Sequence, residues 1–220
     1  MLYYPPCFAR SSDASILIQQ ARLSAQRYLF QYGDAMPVEQ IVTQICNYKQ
    51  SYTQYGGLRP FGCAFLFGGF DEYNGMQLYQ TDPSGNFSGW QATVIGANNS
   101  SGKSFLKNEY NKDDAGIPSV DEGLKLAVKC LNKTMDSSGN GPEKYELFVM
   151  KEDSESASGG EAERALERSD SKCIVQPSYI TNNLPLVASL IAVSHKTLTK
   201  EEVKTILDSV EAESAAAADA

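Results

Sequence analysis

Apolar residues recur along the chain at two periods, and the switches between them outline the fold. From residue 13 to 32, Ala14, Leu17, Ile18, Ala21, Ala25, Tyr28, Leu29 and Tyr32 keep helical spacing, with Ser12 or Asp13 placed to cap the start. Ile16, Leu23 and Phe30 fall off that stripe and form a second one. Two stripes predict burial on two sides, as for a helix lying on a sheet with another helix beside it. The next helix starts at Pro37, a favoured first position, with Glu39 in its first turn where a negative charge suits the helix dipole. Val38, Ile41, Val42, Ile45 and Tyr52 share its apolar face, and Gly56-Gly57 ends it.

The period then falls to two. Phe61–Phe70 is apolar on both faces, which predicts a strand covered on both sides. Met76–Thr81 and Asn86–Gly96 read as two further strands, joined by turns at Asp71–Gly75 and Asp82-Pro83-Ser84-Gly85. Together they predict an antiparallel meander. Helical spacing returns over Ser100–Tyr110. It returns again behind a capping box at Ser119–Glu122, through Leu124, Ala127, Val128 and Leu131. Lys144–Met150 reads as a strand. A second capping box at Thr199–Glu202 leads into Val203, Ile206, Leu207 and Val210, and the small-residue end Ala215–Ala220 is expected to fray.

Charge changes this picture in one place. The 220-residue chain carries a net −8, and residues 151–220 hold 7 basic against 13 acidic residues. Seven of those acids lie in Glu152–Asp170, among Ser, Ala and Gly, a composition that predicts disorder. A pI near 4.8 argues against nucleic-acid binding through phosphate neutralisation. The apolar stretch that begins at Leu184 ends at Val193, far short of a membrane span. The start lacks the basic and apolar regions of a signal peptide, so the expected location is the cytoplasm and nucleus. There the five scattered cysteines (Cys7, Cys46, Cys63, Cys130, Cys173) would be reduced thiols. Without a Cys-x-x-Cys pair they suggest neither a metal site nor a disulfide framework.

Candidate chemistry is sparse. Residues 97–104, ending in Gly102-Lys103-Ser104, fit a relaxed phosphate-binding loop between a strand and a helix, with Lys103 on the phosphates and Ser104 on Mg²⁺. Against it stand the antiparallel strand before it, Ala97 in place of the first glycine, and no downstream apolar run ending in Asp. The sole histidine, His195, has no visible nucleophile beside it in sequence. Asp113-Asp114 and Asp121-Glu122 are paired acids best read as solvated charge, the second pair serving a helix start. No residue set amounts to a catalytic, cofactor-binding or metal-binding site.

Taken in order, five segments carry a resemblance: Gln20–Tyr32, Tyr52–Gly62, Leu78–Gly85, Gly89–Gly96 and Leu131–Asp136. They are similar to proteasome alpha subunits, the last three to the eukaryotic type-4 branch. The resemblance covers residues 13–150 and resumes around His195–Val210. It implies an α+β fold, the N-terminal-nucleophile hydrolase-type αββα sandwich with antiparallel sheets. The implied role is a non-catalytic place in the outer ring of the 20S core particle, which gates substrate entry for ubiquitin-dependent degradation. The implied partners are neighbouring alpha subunits, beta-ring subunits and, through the ring, the regulatory particle. Peptide cleavage in that assembly belongs to an N-terminal threonine of beta subunits. Met1 stands first here, so no catalytic residue carries over, and no cofactor is implied. A standalone hydrolase of the same fold would need a processed N-terminus, with Cys7 as the candidate nucleophile.

The resemblance also sets boundaries. Residues 1–11 are atypical, 12–151 correspond to the alpha-type domain without its first strands, and 192–214 to the final helix region. Residues 152–191 read as an acidic, low-complexity insert, expected to be disordered in large part, and 215–220 as a frayed tail. The family's gate-forming segment, following helix and first strands have no counterpart in the sequence; with the insert, this pattern fits a retained intron or gene-model fault, the reading we expect, or a truncated paralogue.

Overall fold

The computed structural model describes residues 12–110, 118–135, 142–151, 172–177, 186–189 and 194–218. The chain divides into two compact units, residues 1–91 and 92–220.

In the first unit, helix α1 (Ser12–Tyr32) packs against α2 (Val38–Gln54), and α2 lies on a three-stranded antiparallel sheet. The strands are β1 (Phe65–Asp71), β2 (Gly75–Thr81) and β3 (Phe87–Gly89), in the order β1-β2-β3. Phe65 pairs with Thr81 and Asp71 with Gly75, so the meander has the expected topology. Ala14, Leu17 and Ala21 of α1 meet Val42, Ile45 and Cys46 of α2, above Phe61, Cys63, Phe65 and Phe67. On the other face of β1 and β2, Leu66 and Leu78 are also buried, matching the doubly apolar pattern.

Two glycines let α2 lie this close. A Cβ at Gly69 of β1 would sit 2.6 Å from a Val38 methyl, and one at Gly85 would sit 2.5 Å from the Cys46 carbonyl. Gly85 also has φ +92, a left-handed conformation that only glycine adopts readily. The turn that holds it, Asp82–Asn86, is fixed by the Asp82 carboxylate, which accepts from Ser84 N at 2.9 Å and Asn86 N at 3.1 Å.

In the second unit, a five-stranded antiparallel sheet has the order β4-β7-β6-β5-β8. Its strands are β4 (Ala92–Ile95), β5 (Tyr145–Lys151), β6 (Lys172–Pro177), β7 (Leu186–Ser189) and β8 (Ser194–Thr197). Helices α3 (Asn99–Glu109) and α4 (Val120–Thr134) pack on one another, with α3 against β4 and α4 against β6 and β7. Helix α5 (Lys200–Ala218) packs on α4. The core joins Val94, Leu106, Ala127, Val128, Leu131, Leu147, Val149, Val203, Leu207 and Val210. Both capping boxes form: Ser119 with Glu122, and Thr199 with Glu202.

One expectation needs revision. The predicted third strand over Asn86–Gly96 is two strands in two sheets: the contact with β2 ends where Trp90 N donates to the Leu78 carbonyl at 2.9 Å, and from Ala92 the chain pairs with β7 instead. Within the expected insert 152–191, Lys172–Pro177 and Leu186–Ser189 pair as strands; their apolar centres, Cys173-Ile174-Val175 and Leu186-Val187-Ala188, suit a sheet. Residues 152–171 lie outside the described residues. The span 12–151 contributes to both compact units, and α5 runs to Ala218.

Candidate assembly surface

Geometry removes the phosphate-loop reading. Gly102 lies inside α3, not in the loop before it, and is buried with Val94 and Thr134 packed against it. Ser104 Oγ donates to the Ser100 carbonyl at 2.9 Å, an internal helix contact. Asn98, at φ 56, anchors the helix start by donating from Nδ2 to the Thr134 carbonyl at 2.9 Å. β4 pairs antiparallel with β7, whereas a phosphate loop follows a parallel strand.

The other candidates disperse. His195 lies in β8 opposite Met150. Glu122 closes its capping box, and Asp121 sits beside it in the first turn of α4. Cys7, Asp113 and Asp114 lie outside the described residues. Cys46, Cys63 and Cys130 are buried free thiols. Burial pushes Cys46 up to about 11 and Cys130 up to about 12, and raises Cys63 as well, the wrong direction for a nucleophile. Among the described residues, no group of three or more His, Cys, Asp or Glu could hold a metal ion, and no helix is long and apolar enough to cross a membrane.

What the first unit builds with care is a rigid helical layer. Lys49 of α2 is fully buried and donates to the Cys63 carbonyl at 3.1 Å, Thr81 Oγ1 at 2.9 Å and the Asp82 carbonyl at 3.2 Å. Its ammonium also lies 4.5 Å from the centre of the Phe65 ring. One side chain thus joins α2 to the approach of β1, the end of β2 and the turn beyond it. Sequence reading passed over Lys49 as polar, although it continues the Val42, Ile45, Tyr52 face.

A second tie fixes α1. Asp13 accepts from Arg59 through both carboxylate oxygens, at 2.7 and 2.8 Å, and from Gly62 N at 3.0 Å. The Arg59 guanidinium, helped by Gly62 N–H, holds the Asp13 carboxyl well below the usual carboxylate range. Asp71 makes a third. It accepts from Val38 N at 3.3 Å, Tyr73 N at 3.2 Å, Asn74 N at 2.7 Å and Gln77 Nε2 at 2.6 Å, binding the β1–β2 turn to the first turn of α2.

This layer presents an uncovered apolar face. Ile16, Leu23 and Phe30 are 50%, 54% and 93% exposed. They recur every seven residues, about 10 Å apart along the α1 axis. The expected burial of this stripe does not occur among the described residues: α2 covers the Ala14–Leu17–Ala21 side alone. Three large side chains in line, on a helix held by an ion pair, make an exposed apolar seam of the kind that protein contacts bury.

Comparison with known proteins points the same way. Residues 9–150 match the proteasome subunit family. Over 136 residues the chain is 56% identical to proteasome subunit alpha type-4-A of Arabidopsis thaliana, covering 62% of this chain and 53% of that protein. It is 57% identical to proteasome subunit alpha type-4 of Spinacia oleracea over 136 residues, with the same coverage. It is also 57% identical to that of Dictyostelium discoideum over 138 residues, covering 62% of this chain and 54% of that protein. The chain spans about half the length of the curated relatives it matches. The chain belongs to the proteasome subunit family.

Proposed function

We propose that this chain is a structural, non-catalytic subunit of the outer alpha ring of the 20S proteasome, contributing to ubiquitin-dependent protein degradation by building the ring. The observation that carries the reading is the identity of more than half to alpha type-4 subunits across 136 residues. The exposed α1 stripe supports it, because a ring subunit must bury part of its apolar surface against neighbours. The deeply buried, elevated thiols are in keeping with a scaffold role. The antiparallel sheets with their helices are the material of an αββα sandwich of the N-terminal-nucleophile hydrolase type. On this reading the partners are neighbouring alpha subunits and beta-ring subunits, with the regulatory particle contacted through the assembled ring, in the cytoplasm and nucleus.

The test is affinity purification of the tagged chain from a eukaryotic cell, followed by native electrophoresis and mass spectrometry. Co-elution with other alpha and beta subunits in a particle with peptidase activity is expected. A tagged chain that is soluble and folded but migrates alone overturns the proposal.

A further inference from the structure

The first unit contains a groove of about 600 Å³ that the α1 seam does not include. Its walls are the C-terminal part of α1, the first turns of α2 and the tip of the β1–β2 turn. Glu39, Gln40 and Gln44 line one side, Tyr28 the second, and Tyr73 and Asn74 the third. Among the described residues, no lysine or arginine lines it. Between residues 60 and 102 the chain has no basic residue at all, so the sheet edge of the groove cannot supply one.

Three features set its chemistry. Among the described residues, no cation pairs with the Glu39 carboxylate, which sits exposed at the positive end of α2. Tyr73 is 76% exposed at the turn tip, and the Tyr28 ring lies tilted by 44° against Tyr32 with ring centres 4.5 Å apart, so two tyrosines line the groove together with the acid. The walls are also held in place. Asp71 binds the turn through Tyr73 N and Asn74 N and binds α2 through Val38 N, so the third wall cannot swing away from the first. The negative field is felt nearby: after burial, the charges of Glu39 and Asp71 are what push the Tyr79 phenol up.

A carboxylate that shares a groove with two tyrosines and the side-chain amides of Gln40, Gln44 and Asn74 matches a guanidinium better than any other protein side chain. Arg offers five N–H donors in a planar fork, stacks on aromatic rings and keeps its charge on losing water. Lysine would satisfy the charge and leave the flanking amides and rings unused.

We infer that this groove is a socket for an arginine-bearing segment of a neighbouring subunit, with Glu39 pairing the guanidinium and Tyr28 and Tyr73 stacking on it. The inference rests on the ring-subunit reading above and adds the chemistry of one contact.

The experiment uses the full chain in cells that also make the other subunits. Differently tagged wild-type and variant chains compete for incorporation into the particle. Glu39→Arg is expected to incorporate about tenfold less than wild type, the equivalent of about 1.4 kcal/mol, and Glu39→Gln to fall between the two. Purified Glu39→Arg should melt with the wild-type chain, since the side chain is exposed, which separates lost docking from lost folding. A photo-cross-linking phenylalanine analogue replacing Tyr73 should capture a neighbouring subunit on a peptide containing arginine. Changing that arginine to glutamate should restore incorporation of Glu39→Arg.

Equal incorporation of wild type and Glu39→Arg overturns the socket and leaves the ring-subunit reading standing. So does a cross-linked peptide without arginine. Failure of the wild-type chain itself to enter any particle overturns both.

Discussion

Replacing Lys49 by methionine tests how the first unit is held together. Lys49 is fully buried, and its Nζ makes three hydrogen bonds of 2.9–3.2 Å, two of them to backbone carbonyls. Methionine fills a similar volume and donates nothing. Hydrogen bonds from a charged donor are worth ~1.5–3 kcal/mol each. Against that stands a desolvation penalty of several kcal/mol for a buried ammonium, which methionine relieves. The substitution removes only one side of the network. The Cys63 carbonyl remains, at ~1–3 kcal/mol for a buried acceptor left unsatisfied. The Asp82 carbonyl keeps a second donor, Gly85 N at 3.2 Å. The net expectation is a loss of ~2–4 kcal/mol. Trp90, the only tryptophan, lies just beyond β3 and reports on the first unit, so urea unfolding followed by its fluorescence isolates the effect. With a slope of ~2 kcal/mol/M the midpoint falls by about 1–2 M. Thr81→Val removes the hydroxyl shared by Lys49 Nζ and Phe65 N, so the double variant should show a coupling of ~1 kcal/mol with Lys49→Met. A Lys49→Met chain within ~0.5 kcal/mol of wild type would refute the reasoning, because burial of the charge would then cancel everything its hydrogen bonds contribute.

Other expectations follow from the same geometry. Gly57→Ala and Gly85→Ala both place alanine at positive φ, but only position 85 meets backbone, so Gly57→Ala should cost ~1–2 kcal/mol and Gly85→Ala ~2–5 kcal/mol in urea unfolding. Asp13 has a folded pKa below its ordinary 3.8, so its contribution is present above about pH 4 and lost as pH falls toward the folded value. Asp13→Asn should therefore lower the thermal midpoint at pH 7, with the gap to wild type closing below pH 4. Cys46, Cys63 and Cys130 should resist iodoacetamide at pH 8 in the folded chain and react on unfolding, read by peptide mass spectrometry.

Helix positions were legible wherever one chain segment settles them. The Ala14–Leu17–Ala21 stripe, both capping boxes and the Asp82–Gly85 turn depend on neighbours within a few residues, and all formed. What depends on distant pairing was not legible. The alternation slips once in Asn86–Gly96, at Ser88-Gly89 between Phe87 and Trp90, and that slip does not say that Phe87 will pair with Thr81 while Val94 pairs with Val187. β6 follows directly on the acidic segment that ends at Asp170, and a composition window averages its short apolar run with those residues; β7 lies in the apolar stretch Leu184–Val193, where nothing local names β4 and β6 as its partners. Gly102-Lys103-Ser104 matched a motif, yet the motif specifies residue order and not where the helix begins; here α3 starts three residues before the glycine.

The candidate site was hidden for a related reason. Apolar spacing marks a surface that leaves water and does not say which chain covers it, so Ile16, Leu23 and Phe30 were read as internal when the first unit leaves them open. Polar residues carry the opposite ambiguity. Nothing in the sequence marks Lys49, which is the most enclosed charge described, whereas Glu39 sits in the first turn of α2 as expected and stands without a cation among the described residues. The rest of a charge's meaning lies in its partners: for Lys49 they come from residues 14 to 33 positions away, and for Glu39, on the socket inference, from another chain. An enzyme site gathers reactive groups and perturbs them toward reactivity, which can be searched for. A ring subunit's information lies in groups left unsatisfied on a rigid frame. The three polar ties of Lys49, Asp13 and Asp71 are what make the unsatisfied positions of α1 and the groove fixed in space, and hence specific.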